Sequence, residues 1–358
     1  MRSAPKFWTD RSWPSQLLLP ISWVYGSISG ARMRRPPRSR ANIPVIAIGN
    51  FTAGGAGKTP AAIAITKLVT GFNYSPIVLM RGYGGRVKGP KLVDARHDTA
   101  RDVGDEALMI AQSGLPVIVS RNRGKGAEFA IACGCDLIIM DDGFQSPTLA
   151  KDLSFVVIDD VYGVGNGQVL PAGPLRAPLQ TQLDAMDGLI IISNGAPGKA
   201  ADDIARQAHA LNRPTFNAFV EPTTDAVDVR GQRVVAFAGI GRPEKLAEGL
   251  LARGAIVEEL VSFPDHHRFR PDEARDLLRK VEGTTRLLIT TAKDMARLAS
   301  ASDQDLAALA ARAKVASIRL RFDAEQDLMD FLSNRLMALG AHPRRINDAA
   351  RVGPETSN

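Results

Sequence analysis

Cysteine is nearly absent from this chain of 358 residues, which contains only Cys133 and Cys135. So few cysteines exclude a disulfide framework and favour a reducing compartment. Because no further cysteine could complete a zinc site, we interpret the pair as small apolar side chains before a strand. The composition, 45% hydrophobic and 23% charged, is that of an ordinary globular protein. The chain is long enough for about two domains.

Long hydrophobic runs are also lacking. The best candidate, residues 17–28, is interrupted by proline, serine and glycine, whereas a membrane-spanning helix needs roughly 20 apolar residues. A cleaved signal peptide is not favoured either, because the arginine-rich residues 32–40 follow in place of a small-residue cleavage site. The sequence therefore predicts no spanning segment here.

An excess of positive charge is missing from most of the chain. The total is 45 Lys+Arg against 38 Asp+Glu, but residues 1–40 hold eight of the basic side chains and one acidic one. Residues 41–358 are therefore balanced, which argues against a nucleic-acid binder with a basic folded face. All three tryptophans, Trp8, Trp13 and Trp23, lie in the basic segment as well. Tryptophan favours the headgroup level and basic runs attract anionic lipid, so we expect an N-terminal interfacial helix on a membrane surface. The alternative is a helix docked on the core with solvated arginines.

Short apolar runs alternate with helical stretches along residues 41–222. This alternation is typical of βαβ units and predicts a mostly parallel sheet. The predicted strands are 43–50, 76–80, 116–120, 136–140, 155–159 and 188–193, and the helices include 60–69, 105–112 and 125–132.

A second, shorter series predicts a smaller α/β domain over residues 229–340, followed by a polar tail, 341–358. The boundary is expected near 220–228. Predicted strands are 234–238, 255–261, 287–291 and 316–321; predicted helices are 242–252, 271–281, 303–314 and a closing helix, 324–339.

A glycine-rich loop separates the first strand from the first helix of the core, which is the context of a P-loop. Backbone N–H groups of such a loop converge on phosphate oxygens, while Lys58 can reach the β- and γ-phosphates and Thr59 can bind Mg²⁺. The usual first glycine of the motif falls at Thr52, and the double glycine that follows supplies the flexibility. We therefore predict a nucleoside triphosphate site formed by Thr52, Gly54, Gly55, Ala56, Gly57, Lys58 and Thr59.

Three groups of titratable side chains could serve phosphoryl transfer. Asp141 and Asp142 follow the strand 136–140, where carboxylates face the ligand crevice of a parallel sheet, although two acids before glycine also suit a plain turn. Asp105 and Glu106 open a helix, a position where acids commonly stabilise the helix dipole. An Asp-His-His run at 265–267 lies between a strand and a helix, and histidine beside a carboxylate can act as a tuned base.

Basic and amide side chains in Gly- and Pro-rich loops are candidates for holding an anionic substrate. Arginine makes planar, bidentate contacts with phosphate, although each of these side chains alone is more often a solvated charge. The predicted substrate contacts are Arg81, Arg121, Arg123, Asn166 and Arg176.

Seven motifs taken together resemble tetraacyldisaccharide 4'-kinases, bacterial enzymes of lipid A biosynthesis. The resemblance covers about residues 5–335, with one departure at Ala177, where an acidic residue often follows the arginine. The motifs are 45–60, 81–84, 104–106, 141–145, 165–176, 263–267 and 291–294.

The resemblance implies two α/β domains closing over a cleft, the larger of them a P-loop NTPase-like core. It implies ATP- and Mg²⁺-dependent phosphorylation of the 4'-hydroxyl of a tetraacyldisaccharide 1-phosphate, giving lipid IVA, by a peripheral enzyme at the cytoplasmic face of the inner membrane. The residues alone also allow a membrane-associated P-loop ATPase switch, although that loop carries a signature lysine where this chain has Ala53.

Motif by motif, the resemblance assigns a role to each candidate. Asp105 would take the hydroxyl proton and His266 would pair with it. Thr59, Glu106 and Asp141 would attend the metal, Asp142 would support the metal and the nucleophile, and Lys58 would hold the phosphates.

Overall fold

A nine-stranded sheet forms the centre of the larger of two α/β units, with the strand order β13-β8-β7-β6-β1-β5-β2-β4-β3. The computed structural model describes residues 5–10, 12–193, 198–223, 227–299, 301 and 303–340. The strands of this sheet are β1 Val45–Asn50, β2 Pro76–Met80, β3 Lys91–Leu92, β4 Val117–Val119, β5 Leu137–Asp141, β6 Leu153–Asp159, β7 Gly188–Ser193, β8 Thr215–Pro222 and β13 Ile318–Phe322. All of the pairings except β3–β4 and β13–β8 are parallel.

Helices cover both faces of this sheet, because its central strands are buried on both sides and need apolar cover. β1, β2, β5 and β6 are buried along their whole length. The helices of the unit are α3 Lys58–Gly71, α4 Ala100–Val103, α5 Asp105–Gln112, α6 Arg123–Ala132, α7 Leu179–Ala185, α8 Asp202–Ala210 and α13 Glu325–Ala338.

The smaller unit has a four-stranded parallel sheet in the order β10-β9-β11-β12. Its strands are β9 Arg233–Ala238, β10 Ile256–Ser262, β11 Leu287–Thr290 and β12 Lys314–Val315, and its helices are α9 Glu244–Ala252, α10 Pro271–Val281, α11 Ala292–Ala299 and α12 Gln304–Arg312. The two sheets confirm the predicted α/β class with a mostly parallel core and a second, smaller unit.

The end of the chain returns to the larger unit, so the prediction that placed residues 316–321 and the closing helix in the smaller unit is wrong. β13 pairs antiparallel with β8 at the edge of the larger sheet. Leu320 and Phe322 of β13, with Leu328, Leu332 and Leu336 of α13, are buried in the core of the larger unit. The apolar side chains of this segment therefore complete the core of that unit. The predicted tail, 341–358, lies outside the described residues.

The N-terminal segment contains a short 3₁₀ turn, Lys6–Trp8, and two helices, α1 Trp13–Leu17 and α2 Leu19–Met33. Its small side chains dock on the loop before α7: Ser15 donates to the carbonyl of Ala172 at 2.8 Å, and Ser22 accepts from the N–H of Ala172 at 2.9 Å. The large apolar side chains remain exposed, namely Trp13, Leu17, Ile21, Trp23, Val24, Tyr25 and Ile28. Within the described ranges, no helix combines the length and apolarity needed to cross a membrane.

Candidate active site

The glycine-rich loop lies where β1 gives way to α3, as the sequence predicts. Gly57 ends the loop with a φ of 87°, and a Cβ there would lie 2.6 Å from Ile192 Cδ1, so both backbone and space require glycine. Lys58 Nζ lies 3.5 Å from the carbonyl oxygen of Gly54 and 3.8 Å from Asp142 Oδ1. The lysine thus folds back over the loop that would surround a phosphate chain.

Asp141 ends β5 beside the loop, and the hydroxyl of Thr59 donates to its Oδ2 at 2.9 Å. The carboxyl is almost fully buried, and its Oδ1 has no hydrogen-bond partner among the described residues. Burial, together with the negative charges of Glu106 and Asp142, raises the pKa of Asp141 to about 7. The positive charge of Lys58 does not outweigh these effects, and a cation at this position would stabilise the charged form of Asp141.

Asp142 is held in a different electrostatic environment from its neighbour. Its backbone has a φ of 50°, and its Oδ1 accepts from Arg176 Nη1 at 2.8 Å. Burial opposes ionisation, but Lys58, Arg176 and Arg123 outweigh it and lower the pKa of Asp142. The pKa of Asp141 is therefore raised and that of Asp142 lowered, and Asp142 forms ion pairs with Lys58 and Arg176.

Arg176 lies next to the phosphate loop. Its Nε donates to the carbonyl of Thr52 at 3.0 Å, while Nη1 reaches Asp142. Its guanidinium therefore links the beginning of the loop to the acid after β5. A substrate contact for Arg176 stays a prediction.

The smaller unit contributes a histidine to the same site. His266 Nδ1 lies 3.0 Å from Oδ2 of Asp105, across 161 residues of sequence. His266 has a φ of 60°, its N–H donates to the carbonyl of Gly239 at 3.1 Å, and its ring lies 5.1 Å from that of Tyr83. A left-handed backbone at a bulky residue needs such support, and here it aims the imidazole across the cleft.

Three further contacts surround this pair. Lys293 Nζ lies 3.0 Å from Glu106 Oε1 and 3.4 Å from His266 Nε2. Arg297 Nε donates to Asp105 Oδ2 at 2.7 Å. Burial opposes the charge of Asp105, but His266, Arg297 and Lys293 outweigh it and hold the pKa of Asp105 well below its usual range.

The other predicted substrate residues are distributed unevenly. Arg81 and Arg121 are exposed after β2 and β4, at the carboxyl edge of the sheet. Arg123 is buried instead, with Nη2 donating to the carbonyls of Asp141 at 3.2 Å and Asp142 at 2.8 Å, so it supports the loop after β5.

Asn166 does not face the site, contrary to the prediction. Its Nδ2 lies 2.9–3.0 Å from the carbonyl oxygens of Phe7, Asp10 and Ala172. It therefore joins the N-terminal segment to the 165–176 loop. A buried amide that satisfies several carbonyls has no capacity left for a substrate.

Part of the candidate set borders one large cleft of about 1740 Å³ between the two units. The phosphate loop, Asp142, Arg176 and His266 line it, and so do Tyr25, Ser29 and Arg32 of α2. The N-terminal helix α2 therefore reaches the same cavity as the phosphate loop.

A phosphate loop and a carboxylate–imidazole contact at one cleft define a nucleotide site with side chains that can serve phosphoryl transfer. Comparisons with known proteins narrow this class. The sequence profile of LpxK, Tetraacyldisaccharide-1-P 4'-kinase, matches residues 14–337. This chain belongs to that family and is a kinase of this type.

Individual relatives agree along nearly the whole chain. A tetraacyldisaccharide 4'-kinase from Nitrobacter hamburgensis is 46% identical over 334 residues, which are 93% of this chain and 98% of that protein. One from Rhizobium meliloti is 44% identical over 319 residues, 89% of this chain and 90% of that protein. The crystal structure of LpxK from Aquifex aeolicus in complex with ATP has a TM-score of 0.67 at 24% identity, covering 90% of this chain and 99% of that one, which supports the fold.

Proposed function

We propose that this chain transfers the γ-phosphate of ATP to the 4'-hydroxyl of a tetraacyldisaccharide 1-phosphate, giving lipid IVA in lipid A biosynthesis. The observation that carries the proposal is the contact of His266 with Asp105 in the cleft that the phosphate loop also lines. Phosphoryl transfer depends mainly on positioning and charge stabilisation, and an imidazole paired with a carboxylate at this cleft supports a role in accepting the hydroxyl proton.

Mg²⁺ fits the residues around Asp141. The unpartnered Oδ1 of Asp141, the Thr59 hydroxyl and the Glu106 carboxylate are oxygen donors, which Mg²⁺ prefers. No three His, Cys, Asp or Glu side chains form a ready-made metal site in the described ranges, and Mg²⁺ commonly takes one or two carboxylates together with substrate phosphates. When bound, the ion would offset charge on the phosphates.

The family resemblance implies that Asp105 takes the hydroxyl proton; we propose instead that His266 is the proton acceptor and that Asp105 is its partner. Both oxygens of Asp105 are already engaged, Oδ1 by the N–H of Glu106 at 2.9 Å and Oδ2 by His266 and Arg297. An imidazole that donates Nδ1–H to this carboxylate has Nε2 as its proton-accepting nitrogen, and Lys293, whose Nζ lies 3.4 Å from Nε2, would have to move aside before the proton arrives. In the proposed step the 4'-oxygen bonds to the γ-phosphorus, the bond from phosphorus to ADP breaks, and the hydroxyl proton passes to Nε2.

We further propose that α1 and α2 hold the enzyme at the membrane, on the cytoplasmic face. The exposed apolar side chains of these helices precede a basic run, Arg32 to Arg40, and both features favour an anionic lipid surface. Because α2 also lines the cleft, a lipid acceptor could enter from the bilayer beside it.

A transfer assay with γ-labelled ATP and purified tetraacyldisaccharide 1-phosphate tests the proposed reaction. We expect the lipid to become labelled only when Mg²⁺ is present. The label should remain on the lipid after the 1-phosphate has been removed. Release of labelled phosphate without labelled lipid would instead support the ATPase switch.

A further inference from the structure

Arg297 bridges the two units at the acid–histidine pair. It lies on α11 of the smaller unit, and its side chain is only 8% exposed. Its Nε donates to Asp105 Oδ2 at 2.7 Å, and its Nη2 contacts the same oxygen. Its Nη1 lies 2.6 Å from Asp294 Oδ1 and 2.9 Å from the carbonyl oxygen of Gly239.

Asp294 gives this arginine a fixed support. Its carboxylate is fully buried, accepts the N–H of Gly239 at 3.1 and 3.2 Å, and accepts the hydroxyl of Thr291 at 2.7 Å. Asp294 is thus held by β9 and by the beginning of α11 independently of the other unit. A guanidinium clamped at one edge by such a group has little rotational freedom left for its other edge.

Gly239 connects the arginine to the histidine. Its carbonyl accepts both from Arg297 Nη1 and from the N–H of His266, at 2.9 and 3.1 Å. Oδ2 of Asp105 is in turn within hydrogen-bond distance of both His266 Nδ1 and Arg297 Nε. The carbonyl of Gly239 therefore holds both the guanidinium of Arg297 and the backbone N–H of His266. The guanidinium and the imidazole then meet at the carboxylate of Asp105 in the larger unit.

We propose that Arg297, supported by Asp294, is a positioning residue that docks the smaller unit on Asp105 and so sets the orientation of His266. The inference rests on the kinase function proposed above. Lys293 occupies a different place, since it contacts Glu106 and the opposite ring nitrogen of His266. Arg297 contacts Asp105 directly, so its effect on His266 is exerted through that carboxylate.

The test uses Arg297→Ala and Arg297→Lys in the full-length enzyme, with Arg279→Ala as the matched control. Arg279 is an exposed arginine of the same unit that pairs only with Asp276 in the described contacts. For Arg297→Ala we expect kcat to fall roughly 100-fold, since a small displacement of a catalytic group costs about that much, with an ATP dissociation constant within about 3-fold of the parent.

The recovery of kcat on adding guanidinium is a readout that a purely structural role of Arg297 would leave unchanged. We expect guanidinium chloride at non-denaturing concentration to restore about 10-fold of the lost kcat to Arg297→Ala, because it can refill the vacated site between two carboxylates. Arg297→Lys, which can reach only one carboxylate well, should keep an intermediate kcat. A kcat within about 3-fold of the parent in Arg297→Ala, or equal failure of the alanine and lysine variants without guanidinium rescue, would overturn the proposal.

A double-mutant cycle separates this proposal from the proposed reaction. Urea unfolding of Arg297→Ala, Asp105→Asn and the double variant should give a clearly non-additive loss of stability if the bridge forms. Additive losses would refute the bridge whatever substrate the enzyme uses. Strong coupling without lipid phosphorylation would refute the substrate assignment alone.

Discussion

Among the residues that the structure describes, two clusters of ion pairs join the larger unit to the smaller one, and one of the two contains a histidine. In the first, Asp105 meets His266 and Arg297. In the second, Asp159 at the end of β6 meets Arg242 Nη2 at 2.7 Å and also contacts Lys245. Both acids are 6% exposed, so burial does not distinguish the two clusters.

Their surroundings do distinguish them. Asp159 is fixed by its own turn, where Oδ1 accepts the N–H groups of Val161 and Tyr162 at 3.2 and 2.8 Å, and its partner Arg242 lies over the Tyr162 ring. The described contacts there involve charged side chains, backbone N–H groups and the face of the Tyr162 ring, and no imidazole is among them. The Asp105 cluster instead presents an imidazole to the cleft. We infer that the Asp159 cluster holds the units together, whereas the Asp105 cluster also supplies proton chemistry.

The largest effect is expected from the Asp105 cluster. Asp105→Ala or His266→Ala should lower kcat by roughly 10²–10⁴-fold, the usual contribution of general acid–base catalysis. The ATP dissociation constant should hardly change, because neither side chain contacts the phosphate loop. Steady-state kinetics with a separate nucleotide-binding assay measures both quantities.

His267→Ala is the control for that prediction. Its Nε2 lies 2.8 Å from Glu273 Oε2 and its ring stacks on Phe263, both within the smaller unit. We expect a lower melting temperature and a kcat close to that of the parent at a temperature where the variant is folded. If His267→Ala were the slower enzyme, His266 would be the wrong histidine.

A smaller effect is expected from the Asp159 cluster. Asp159→Asn weakens two charged contacts, worth about 1–3 kcal/mol together in a partly buried site. It should lower kcat/KM by about 10-fold or less, mainly through a raised KM, because closure becomes less favourable while the chemistry is unchanged. Asp203→Asn, at an exposed pair with Arg206 in the larger unit, provides the control. A loss as large as that of His266→Ala would contradict the division between the two clusters.

The smallest effect on the chemical step is expected from the membrane face. Trp23→Ser removes an exposed apolar side chain and should reduce binding to anionic vesicles by roughly 10-fold, since burying such a group contributes about 1.5–3 kcal/mol. The KM for lipid should rise while the KM for ATP stays constant. Ile256→Ser, an exposed apolar position of the smaller unit, should leave vesicle binding unchanged; equal losses in both variants would show that α2 is not the membrane contact.

Much of the fold could be predicted from the sequence because the central strands are continuous apolar runs. The predicted strands 76–80 and 188–193 coincide with β2 and β7, and 136–140 differs from β5 by one residue at each end. Strands at the sheet edge were harder to predict from the sequence. β8 was not predicted, and β13 was placed in the wrong sheet, because alternating edge strands reveal their pattern but not their partner.

The site could be predicted only where its residues form local motifs. The phosphate loop, Asp141 and Asp142 follow strands, a position that has meaning in any parallel sheet. Lys293 lies in the motif 291–294 but was given no role, and Arg297 was not singled out. Arg297 follows Asp294 by three residues, a spacing that places the two on one helix face. Asp105 lies 192 residues from Arg297 in the sequence, and only the tertiary structure brings the two together.

The central claim is that Asp105 and His266, from different units, act as one catalytic pair. Single-turnover transfer of labelled phosphate from ATP to the lipid acceptor should be measured for Asp105→Ala, His266→Ala and the double variant. If the residues act as a unit, the double variant should be about as slow as the slower single variant, because the effects of groups that act as a unit do not add. Rate losses that multiply in the double variant would show that the two side chains act independently and would contradict the account.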